Sequence, residues 1–341
     1  MSKLIINQEY YNIDEINKCV KDLLKIQTVF KNNYGIEDIF SNSKFYEIII
    51  ANQFNHSPIP GHSGSRDAKD KNGNEYEYKH FKETSSNHSW TFNDYTDHII
   101  SGMHKYTFIF AHINDKDYKY PGIMDWYFNV DGKIIQDYLK KATLKIKNNR
   151  KMINVSVNQL ESLGLQRTMC NNKSIMSYSG NYKSELTKLS NISLKLEEIT
   201  GISKILTSNK LYELLVAIEL KHFVNSEQGG RDGAHDAYDY DDNTYEYKVY
   251  KSRTWSFQDI SKTVLKKYYN DKLIICAVVD KENLLVKEIY SITPKDAIPL
   301  LDKKLKEKIK NLKQKGKELR RKQVSLSLND IKKLPSFQKI K

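Results

Sequence analysis

The sequence predicts an α/β (α+β) fold built as two similar domains in tandem. One short segment occurs in two similar copies, RDAKDKNGNEYEYK at residues 66–79 and HDAYDYDDNTYEYK at residues 235–248. The segments around these two copies also repeat in the same order, and they combine amphipathic helices with apolar strands. The chain has 341 residues and is 39% hydrophobic, which is enough for two domains that each have their own core.

The repeated segments define the elements of each half in chain order. Residues 35–51 align without a gap to residues 201–217, and both segments are predicted to be helices with an apolar face. The two hairpin segments follow, and then SWTFND (89–94) corresponds to TWSFQD (254–259). Buried strands are predicted at 106–113 and 272–279, a basic helix at 132–149 and 294–311, and a closing strand at 150–158 and 321–329.

The domain boundary is predicted where the repeat is poorest. Residues 160–180 contain Gly and Ser, show weak periodicity and match the other half poorly, as expected of a linker. This places the first copy at residues 1–165 and the second copy at residues 166–341.

The first hairpin brings acidic and basic side chains together. Asn72-Gly73 is the dipeptide best suited to a two-residue turn between antiparallel strands. Because side chains alternate along a strand, Glu77 and Lys79 share one face and the neighbouring tyrosines occupy the other. Asp67 lies on the opposing strand, so a second carboxylate is expected near Glu77.

The second hairpin repeats this arrangement with Asp236, Glu246 and Lys248. In each copy the Asp precedes the Glu by ten positions (77 − 67 and 246 − 236), and the Lys follows the Glu by two. A single acidic hairpin is commonly a solvated surface feature, but the same spacing twice in register favours a functional role.

This residue set predicts hydrolytic chemistry on a phosphodiester. Two carboxylates form a site of hard oxygen ligands that suits Mg²⁺. A lysine beside them offsets the negative charge that develops during hydrolysis. The pattern therefore predicts a Mg²⁺-dependent nuclease.

Composition indicates the partner and the compartment. A formal net charge of +13 and a pI near 9.2 favour a polyanion such as double-stranded DNA. Cys19, Cys170 and Cys276 form no CxxC pair and the nine histidines form no ligand-like cluster, so neither a zinc site nor a disulfide framework is expected. No apolar run approaches eighteen residues, so we expect a cytoplasmic protein without membrane association.

The D-x9-E-x-K pattern, set among helix, hairpin, helix and strand, resembles the PD-(D/E)xK nuclease superfamily. Within it, each half resembles a subunit of the PvuII-type type II restriction endonucleases, through GIEDIF (35–40), DAKDKNGNEYEYK (67–79), NNRKMINVSV (148–157) and YSITPKDAIPLLDKKLKEK (290–308). The resemblance implies restriction-endonuclease-like domains, each with a mixed central β-sheet flanked by helices. It also implies Mg²⁺-dependent cleavage of a short DNA site by a homodimer, one strand per subunit.

The resemblance assigns two active sites in this chain. One consists of Asp67, Glu77 and Lys79, and the other of Asp236, Glu246 and Lys248, with the Asp and Glu of each set as metal ligands. The family also has an acidic residue shortly before its catalytic Asp; Asp232 matches it in the second copy, whereas the first copy has none.

A homodimer that cuts both strands needs two sites related by a two-fold axis. A chain that contains both copies supplies both sites itself, so we expect a monomer that acts as a single-chain pseudodimer. No methyltransferase motif is present, and a separate cognate DNA methyltransferase is expected.

The segments that face the bases in this family differ between the copies. The first copy has His88, Asn148 and Asn149, and the second has Arg253, Arg320 and Arg321, at matching or neighbouring positions. Because Asn pairs best with adenine and Arg with guanine in the major groove, an imperfect palindrome is predicted as the target. The family's run of consecutive histidines is absent from both copies, so its target is not carried over.

Several repeated residues have alternative interpretations. Glu47 and Glu213 either hydrogen-bond near the metal or are ordinary acids at the edge of an amphipathic helix. Asp70 and Asp239 are alternative metal ligands, although the spacing favours the earlier aspartates. The matched tryptophans, Trp90 and Trp255, are expected to pack in the core rather than stack on bases.

Further alternatives concern the basic helix and the function itself. A lysine-rich helix from Asp302 to Lys322 is predicted to combine a solvated face with phosphate contacts. A structure-selective repair or junction nuclease and a DNA-binding protein without cleavage activity are the competing functions. The two complete residue sets favour cleavage.

Overall fold

A computed structural model describes residues 11–41, 44–60, 66–118, 121–146, 151–173, 180–207, 209–225, 235–314, 316, 319 and 321–341. These residues pack as two compact units: a first unit of Lys25–Leu194, and a second unit of Lys195–Lys341 together with the chain up to Leu24. The division follows packing, whereas the predicted limits 1–165 and 166–341 follow the repeat and stay a prediction.

The elements of the first half are bounded as follows: α1 Ile13–Tyr34, α2 Lys44–Phe54, β1 Ser57–Pro58, β2 Ala68–Lys69, β3 Glu75–Lys82, β4 Ser89–Tyr95, α3 Asp97–Ser101, β5 Thr107–Asn114, β6 Ile123–Asp131, α4 Gly132–Ala142, β7 Lys151–Ser156, α5 Val157–Ser162 and β8 Thr168–Met169. A 3-10 turn at Met103–Lys105 follows α3.

The elements of the second half follow the same sequence of types: α6 Lys183–Thr200, α7 Lys210–Leu220, β9 Phe223–Val224, β10 Ala237–Tyr238, β11 Thr244–Tyr250, β12 Thr254–Phe257, α8 Lys262–Tyr268, β13 Leu273–Asp280, β14 Leu285–Ile292, α9 Pro294–Gln314, β15 Val324–Ser327, α10 Leu328–Ile331 and β16 Gln338–Lys339.

Each half contributes one mixed six-stranded sheet. The strand orders are β1-β2-β3-β5-β6-β8 and β9-β10-β11-β13-β14-β16. In both sheets the central pair is parallel (β3 with β5, β11 with β13) and the other neighbours are antiparallel. A two-stranded ribbon accompanies each sheet, β4 with β7 and β12 with β15. The predicted fold class, two mixed sheets flanked by helices, is confirmed.

The same local sequence signals start corresponding helices. Thr96 and Ser261 cap α3 and α8 through side-chain oxygens that accept a backbone N–H. Ser156 and Ser327 each open a capping box at α5 and α10. Short polar residues at these positions therefore define where the ribbons end and the helices begin.

The two tryptophans are core residues, as predicted. Trp90 and Trp255 are fully buried, and each lies in the main apolar cluster of its own half. The indole Nε1 of Trp90 donates to the carbonyl of Ala111 at 3.0 Å, and that of Trp255 to the carbonyl of Ala277 at 3.0 Å. With the polar atom satisfied inside the core, neither ring is available to stack on a base.

Each unit also includes a tyrosine from the opposite end of the chain. In the second unit, Tyr11 Oη accepts a hydrogen bond from the Val224 amide at 2.9 Å. In the first unit, the Tyr182 amide donates to Asn52 Oδ1 at 2.7 Å, and Tyr182 Oη donates to the carbonyl of His56 at 3.0 Å. Each unit thus includes a residue distant in sequence from most of that unit.

Several predicted helices have different limits in the structure. The helices predicted at 35–51 and 201–217 are shorter at their N-terminal ends, because α2 begins at Lys44 and α7 at Lys210. The predicted lysine-rich helix 302–322 is wrong at its end: α9 ends at Gln314, and Gly316 has a φ of 63°, in the left-handed region that follows many helices. Within the described residues, no helix is long and apolar enough to span a membrane.

Candidate active sites

The hairpin holds the first aspartate of each set against the second strand. Asp67 Oδ2 accepts a hydrogen bond from the Tyr78 amide at 2.6 Å, and Asp236 Oδ2 accepts one from the Tyr247 amide at 2.8 Å. The backbone of Asp67 pairs with Tyr76 across the turn as well. The ten-residue spacing thus places the two carboxylates on adjacent strands of one hairpin in both copies.

The first cluster is centred on Glu77, which is buried on β3. Lys79 Nζ donates to Glu77 Oε1 at 2.6 Å, and Tyr95 Oη donates to the same oxygen at 3.0 Å. Arg66 Nη1 donates to Glu77 Oε2 at 3.1 Å. The predicted face shared by Glu77 and Lys79 is therefore present, and two residues that the sequence did not single out, Arg66 and Tyr95, join it.

The second cluster lies in a cleft of the second unit. Lys248 Nζ donates to Glu246 Oε1, and both side chains line a cavity of about 820 Å³ together with Asp236. Lys267 and Arg321 also line this cavity, as do the further acids Glu213, Asp259 and Asp271. The two cations would attract the negative charge of a phosphodiester in the cleft, and the cluster of acids would attract a metal cation.

The lysines of both clusters stay protonated. Burial opposes the positive charge of Lys79, but Glu77, Tyr95 and Asp67 together outweigh it, so the pKa of Lys79 is raised well above its ordinary range. The same balance with Glu246 raises the pKa of Lys248. Each site therefore presents a fixed cation beside its carboxylates.

The carboxylates are crowded. Burial, followed by the nearby charges of Glu47 and Glu77, raises the pKa of Asp67 well above its ordinary value. In the second copy, burial and the charge of Asp236 raise the pKa of Glu213 to about 7. A cluster of buried acids that resist ionisation in one another's presence is stabilised by a bound cation.

Glu47 and Glu213, which the sequence left as candidates, belong to these clusters. Each forms an ion pair with a lysine one helical turn earlier, Lys44 with Glu47 and Lys210 with Glu213, in both cases with largely buried side chains. The pairs occupy equivalent positions on α2 and α7. The structure favours a role at the sites over a solvent-facing position.

Asp70 and Asp239, the alternative metal ligands, are hydrogen-bonded to the turns of the hairpins. Asp70 Oδ1 accepts hydrogen bonds from the Asn72 amide at 2.8 Å and the Asn74 amide at 2.9 Å, and Asp239 Oδ1 accepts equivalent bonds from the Asp241 and Asn243 amides. These carboxylates hold the hairpin turns. The arrangement favours the earlier aspartates as the metal ligands.

The opposite face of each hairpin carries a histidine–tyrosine pair that sequence reasoning missed. His56 Nδ1 lies 2.8 Å from Tyr78 Oη, and His222 Nδ1 lies 2.8 Å from Tyr247 Oη. Burial lowers the pKa of His222 to about 4, so this ring is neutral at pH 7. The signal was available, because extending the gapless helix repeat by five residues aligns His56 with His222.

The residues predicted to contact bases fall into three groups in the structure. His88 is exposed, and its Nε2 lies 3.0 Å from the carbonyl of Glu83. Arg253 forms a two-pronged ion pair with Glu288, and Arg321 forms one with Asp259. The remaining predicted readers, Asn148, Asn149 and Arg320, lie outside the described residues, as does Asp232.

The acidic side chains of each cluster determine which metal it can hold. Within the described residues, no group of three or more His, Cys, Asp or Glu side chains is arranged to hold a metal ion. Each cluster instead offers two hairpin carboxylates, with a third acid nearby on a helix. Mg²⁺ commonly binds through one or two carboxylates and retains several waters, so these residues fit Mg²⁺.

In the first half, a mixed sheet presents Asp67, Glu77 and Lys79 from one hairpin. Residues 10–159 match the family model described as Restriction endonuclease PvuII. This part of the chain is therefore similar to a type II restriction endonuclease domain, and the matched residues include Asp67, Glu77 and Lys79. A search of curated proteins found no match to the chain.

Proposed function

We propose that this protein is a Mg²⁺-dependent type II restriction endonuclease that acts on double-stranded DNA as a single-chain pseudodimer. Asp67, Glu77 and Lys79 form one active site. Asp236, Glu246 and Lys248 form the other, and each site hydrolyses one strand. The protein works as a monomer in the cytoplasm beside a separate cognate methyltransferase.

One observation carries this proposal: the same carboxylate–lysine arrangement occurs on the same strand of two sheets with the same strand order. A structural hairpin has no need of a half-buried lysine and two largely shielded acids, because such groups are costly to desolvate. Their recurrence favours selection for chemistry, and the family match in the first half indicates which chemistry.

Each residue has a definable task. Asp67 and Glu77, with Asp236 and Glu246 in the second site, would hold Mg²⁺, which when bound supplies positive charge to the scissile phosphate and activates water. Lys79 and Lys248 hold a proton at Nζ and stabilise negative charge as it develops on the phosphate. Glu47 and Glu213, fixed by Lys44 and Lys210, add negative charge that favours a cation.

Target recognition is proposed to be asymmetric. His88, Asn148 and Asn149 would read bases for the first site, and Arg253, Arg320 and Arg321 for the second. Since amides and guanidinium groups prefer different bases, the two halves of the target would differ. The ion pairs of Arg253 and Arg321 would open when these side chains turn to DNA.

The test is digestion of a phage genome by the purified chain in Mg²⁺, followed by mapping of the ends. Defined cuts at one sequence are expected, and excess EDTA should abolish cleavage while DNA binding remains. Cleavage only at branches or ends would identify a structure-selective nuclease instead. Binding without hydrolysis in Mg²⁺ would identify a DNA-binding protein, and undiminished cutting in EDTA would overturn the metal requirement.

A further inference from the structure

The residue directly before the first aspartate differs between the two sites. In the first copy it is Arg66, whose Nη1 donates to Glu77 Oε2 at 3.1 Å. Its guanidinium carbon also lies 3.7 Å from the centroid of the Tyr106 ring, so the group is held from both sides. Because Lys79 and Tyr95 donate to Oε1, both oxygens of Glu77 are engaged by protein groups.

In the second copy the equivalent residue is His235, which contacts a different acidic residue. His235 Nδ1 contacts Asp271 Oδ1, and Asp271 is buried. Among the described residues, Lys248 is the group that hydrogen-bonds Glu246, and it engages Oε1. Glu246 lines the cleft, and no described cation is bonded to its Oε2 in the way that Arg66 is bonded to Oε2 of Glu77.

The charges in contact with the two glutamates differ accordingly. Glu77 accepts hydrogen bonds from two cations, Lys79 and Arg66, and from the Tyr95 hydroxyl. Among the described residues, Glu246 accepts one from a single cation, Lys248. Protein charge therefore compensates the carboxylate of Glu77 more fully than that of Glu246.

The geometry points to Arg66 as a built-in competitor for the divalent cation, so that the first site takes up metal less tightly than the second and cuts its strand later. Arg66 acts through Glu77 and is a positioning residue. This inference rests on the proposed function, because it concerns metal uptake by the same two sites.

The competition is strong because arginine does not lose its charge at any pH that the protein tolerates. Its guanidinium must leave Glu77 Oε2 before both carboxylate oxygens are free for a metal. Charge-assisted hydrogen bonds at partly buried sites are worth enough to change an affinity roughly 10-fold to 100-fold. A gap of this size between two sites of one chain is measurable.

The experiment is a titration of the whole chain with Mn²⁺, without DNA, in which free Mn²⁺ is followed by electron paramagnetic resonance. The wild-type protein should show two classes of site that differ by about 10-fold or more in affinity. Arg66→His gives the first site the residue of the second, and it should tighten the weak class toward the strong one. The reciprocal His235→Arg should weaken the strong class.

Arg167→His is the matched control. Arg167 is also ion-paired, with Glu161, and its guanidinium also lies over an aromatic ring, that of Trp126, at 5.0 Å. This variant should leave both affinities unchanged. Circular dichroism identifies any variant that does not fold, and the reciprocal pair keeps the inference testable from the other side.

Two outcomes would overturn the inference. One is two sites of equal Mn²⁺ affinity in the wild type, and the other is unchanged affinities in both Arg66→His and His235→Arg. Either result leaves the proposed nuclease intact if plasmid is still cut in Mg²⁺. Absence of Mn²⁺ binding to either site, with cleavage undiminished in EDTA, would instead remove the proposed metal dependence together with this inference.

Discussion

The two aspartates that are repeated in both hairpins make different contacts, although they lie only three residues apart. Asp236 accepts a single backbone hydrogen bond and faces the cleft, while Asp239 accepts bonds from two backbone amides, the Asn243 amide group and the Tyr245 hydroxyl. A carboxylate that already stabilises a turn has little capacity left for a metal. Stability and metal binding should therefore separate by mutation.

Asp239→Ala should lower the free energy of unfolding by about 1–3 kcal/mol, because it leaves several donors of the turn unsatisfied. Asp236→Asn should retain stability and abolish Mn²⁺ binding at the second site. Thermal unfolding in EDTA and Mn²⁺ titration provide the two measurements. An Asp239→Ala variant that keeps full stability but loses the metal would reverse the assignment.

A pH dependence follows from the buried acids of the second site. The pKa of Glu246 rises from 4.5 to about 7 because of burial, so the folded protein binds a proton that the unfolded chain releases between these values. The contribution of this group to stability is full below pH 4.5 and is lost as the pH rises through 7.

In EDTA, Glu246→Gln should therefore gain stability relative to the wild type as the pH rises from 4.5 to 8, by up to about 3 kcal/mol. Urea unfolding at a series of pH values measures the difference. Glu161→Gln, at an exposed acid, is the control and should show a constant difference. A constant difference for Glu246→Gln as well would contradict the raised pKa of this carboxylate.

At the scale of elements, the ribbon of β12 and β15 carries the candidate base readers of the second copy. Arg253 directly precedes β12, and Arg321 lies shortly before β15 and pairs with Asp259 just after β12. These pairs keep two guanidinium groups at the ends of a rigid ribbon. Reading a base requires an exchange of partner rather than a rearrangement of the backbone.

Arg321→Ala should reduce discrimination at one side of the target by about 1–3 kcal/mol and leave the other side unaffected. Cleavage rates on DNA with each base pair substituted in turn measure this. Arg167→Ala, at an ion-paired surface arginine, should leave the pattern unchanged. A uniform loss over every position would show that Arg321 contacts phosphate rather than a base.

The elements with strong local signals could be predicted from the sequence. The hairpin and the shared face of Glu77 and Lys79 could be predicted, but the two-residue turn at Asn72-Gly73 is wrong, because Lys69 pairs with Glu75 and residues 70–74 connect the strands. The buried strands β5 and β13 follow from their continuous apolar runs. Helix limits were less accurate, since α2 starts nine residues after Gly35 (44 − 35) and α9 stops before the glycine at 316. A periodic pattern continues across residues whose backbone is no longer helical.

The candidate sites were predicted as residue sets but not as networks. Spacing along one hairpin indicates that Asp67, Glu77 and Lys79 meet. It contains no information about Tyr95, which reaches Glu77 from β4, or about Asp271, which meets His235 from the loop before β13. Such partners depend on packing between elements distant in sequence. The duplication within one chain was the strongest sequence signal, because it supplied a comparison that a single copy lacks.

At the scale of the whole molecule, two sites in one chain predict strand-specific loss of function. Lys79→Ala removes the fixed cation of the first site while Asp67 and Glu77 remain. Loss of a charge-stabilising group can lower the rate roughly 100-fold or more. The variant should therefore nick one defined strand of supercoiled plasmid and stop at open circle, and Lys248→Ala should nick the other strand.

Run-off sequencing of the nicked plasmids shows which strand each variant cuts. Lys133→Ala, at an exposed lysine of α4 that pairs with Asp137, should linearise plasmid at the wild-type rate. Linearisation by Lys79→Ala or Lys248→Ala at the wild-type rate would contradict the two-site arrangement. Complete loss of cleavage in both variants would indicate one composite site, and nicking of the same strand would indicate a single functional one.

The placement of Tyr11 and Tyr182 determines how the chain can assemble. Each tyrosine packs in the unit formed mainly by the other half of the sequence. Tyr11 is hydrogen-bonded to Val224, and Tyr182 is hydrogen-bonded to Asn52 and His56. If the two halves were separate subunits, both tyrosine contacts would form between molecules, and the fraction of protein in which they are formed would fall on dilution. In one continuous chain the same contacts form within the molecule, at an effective concentration on the order of millimolar. Completion of both units is therefore independent of how many copies of the protein a cell contains.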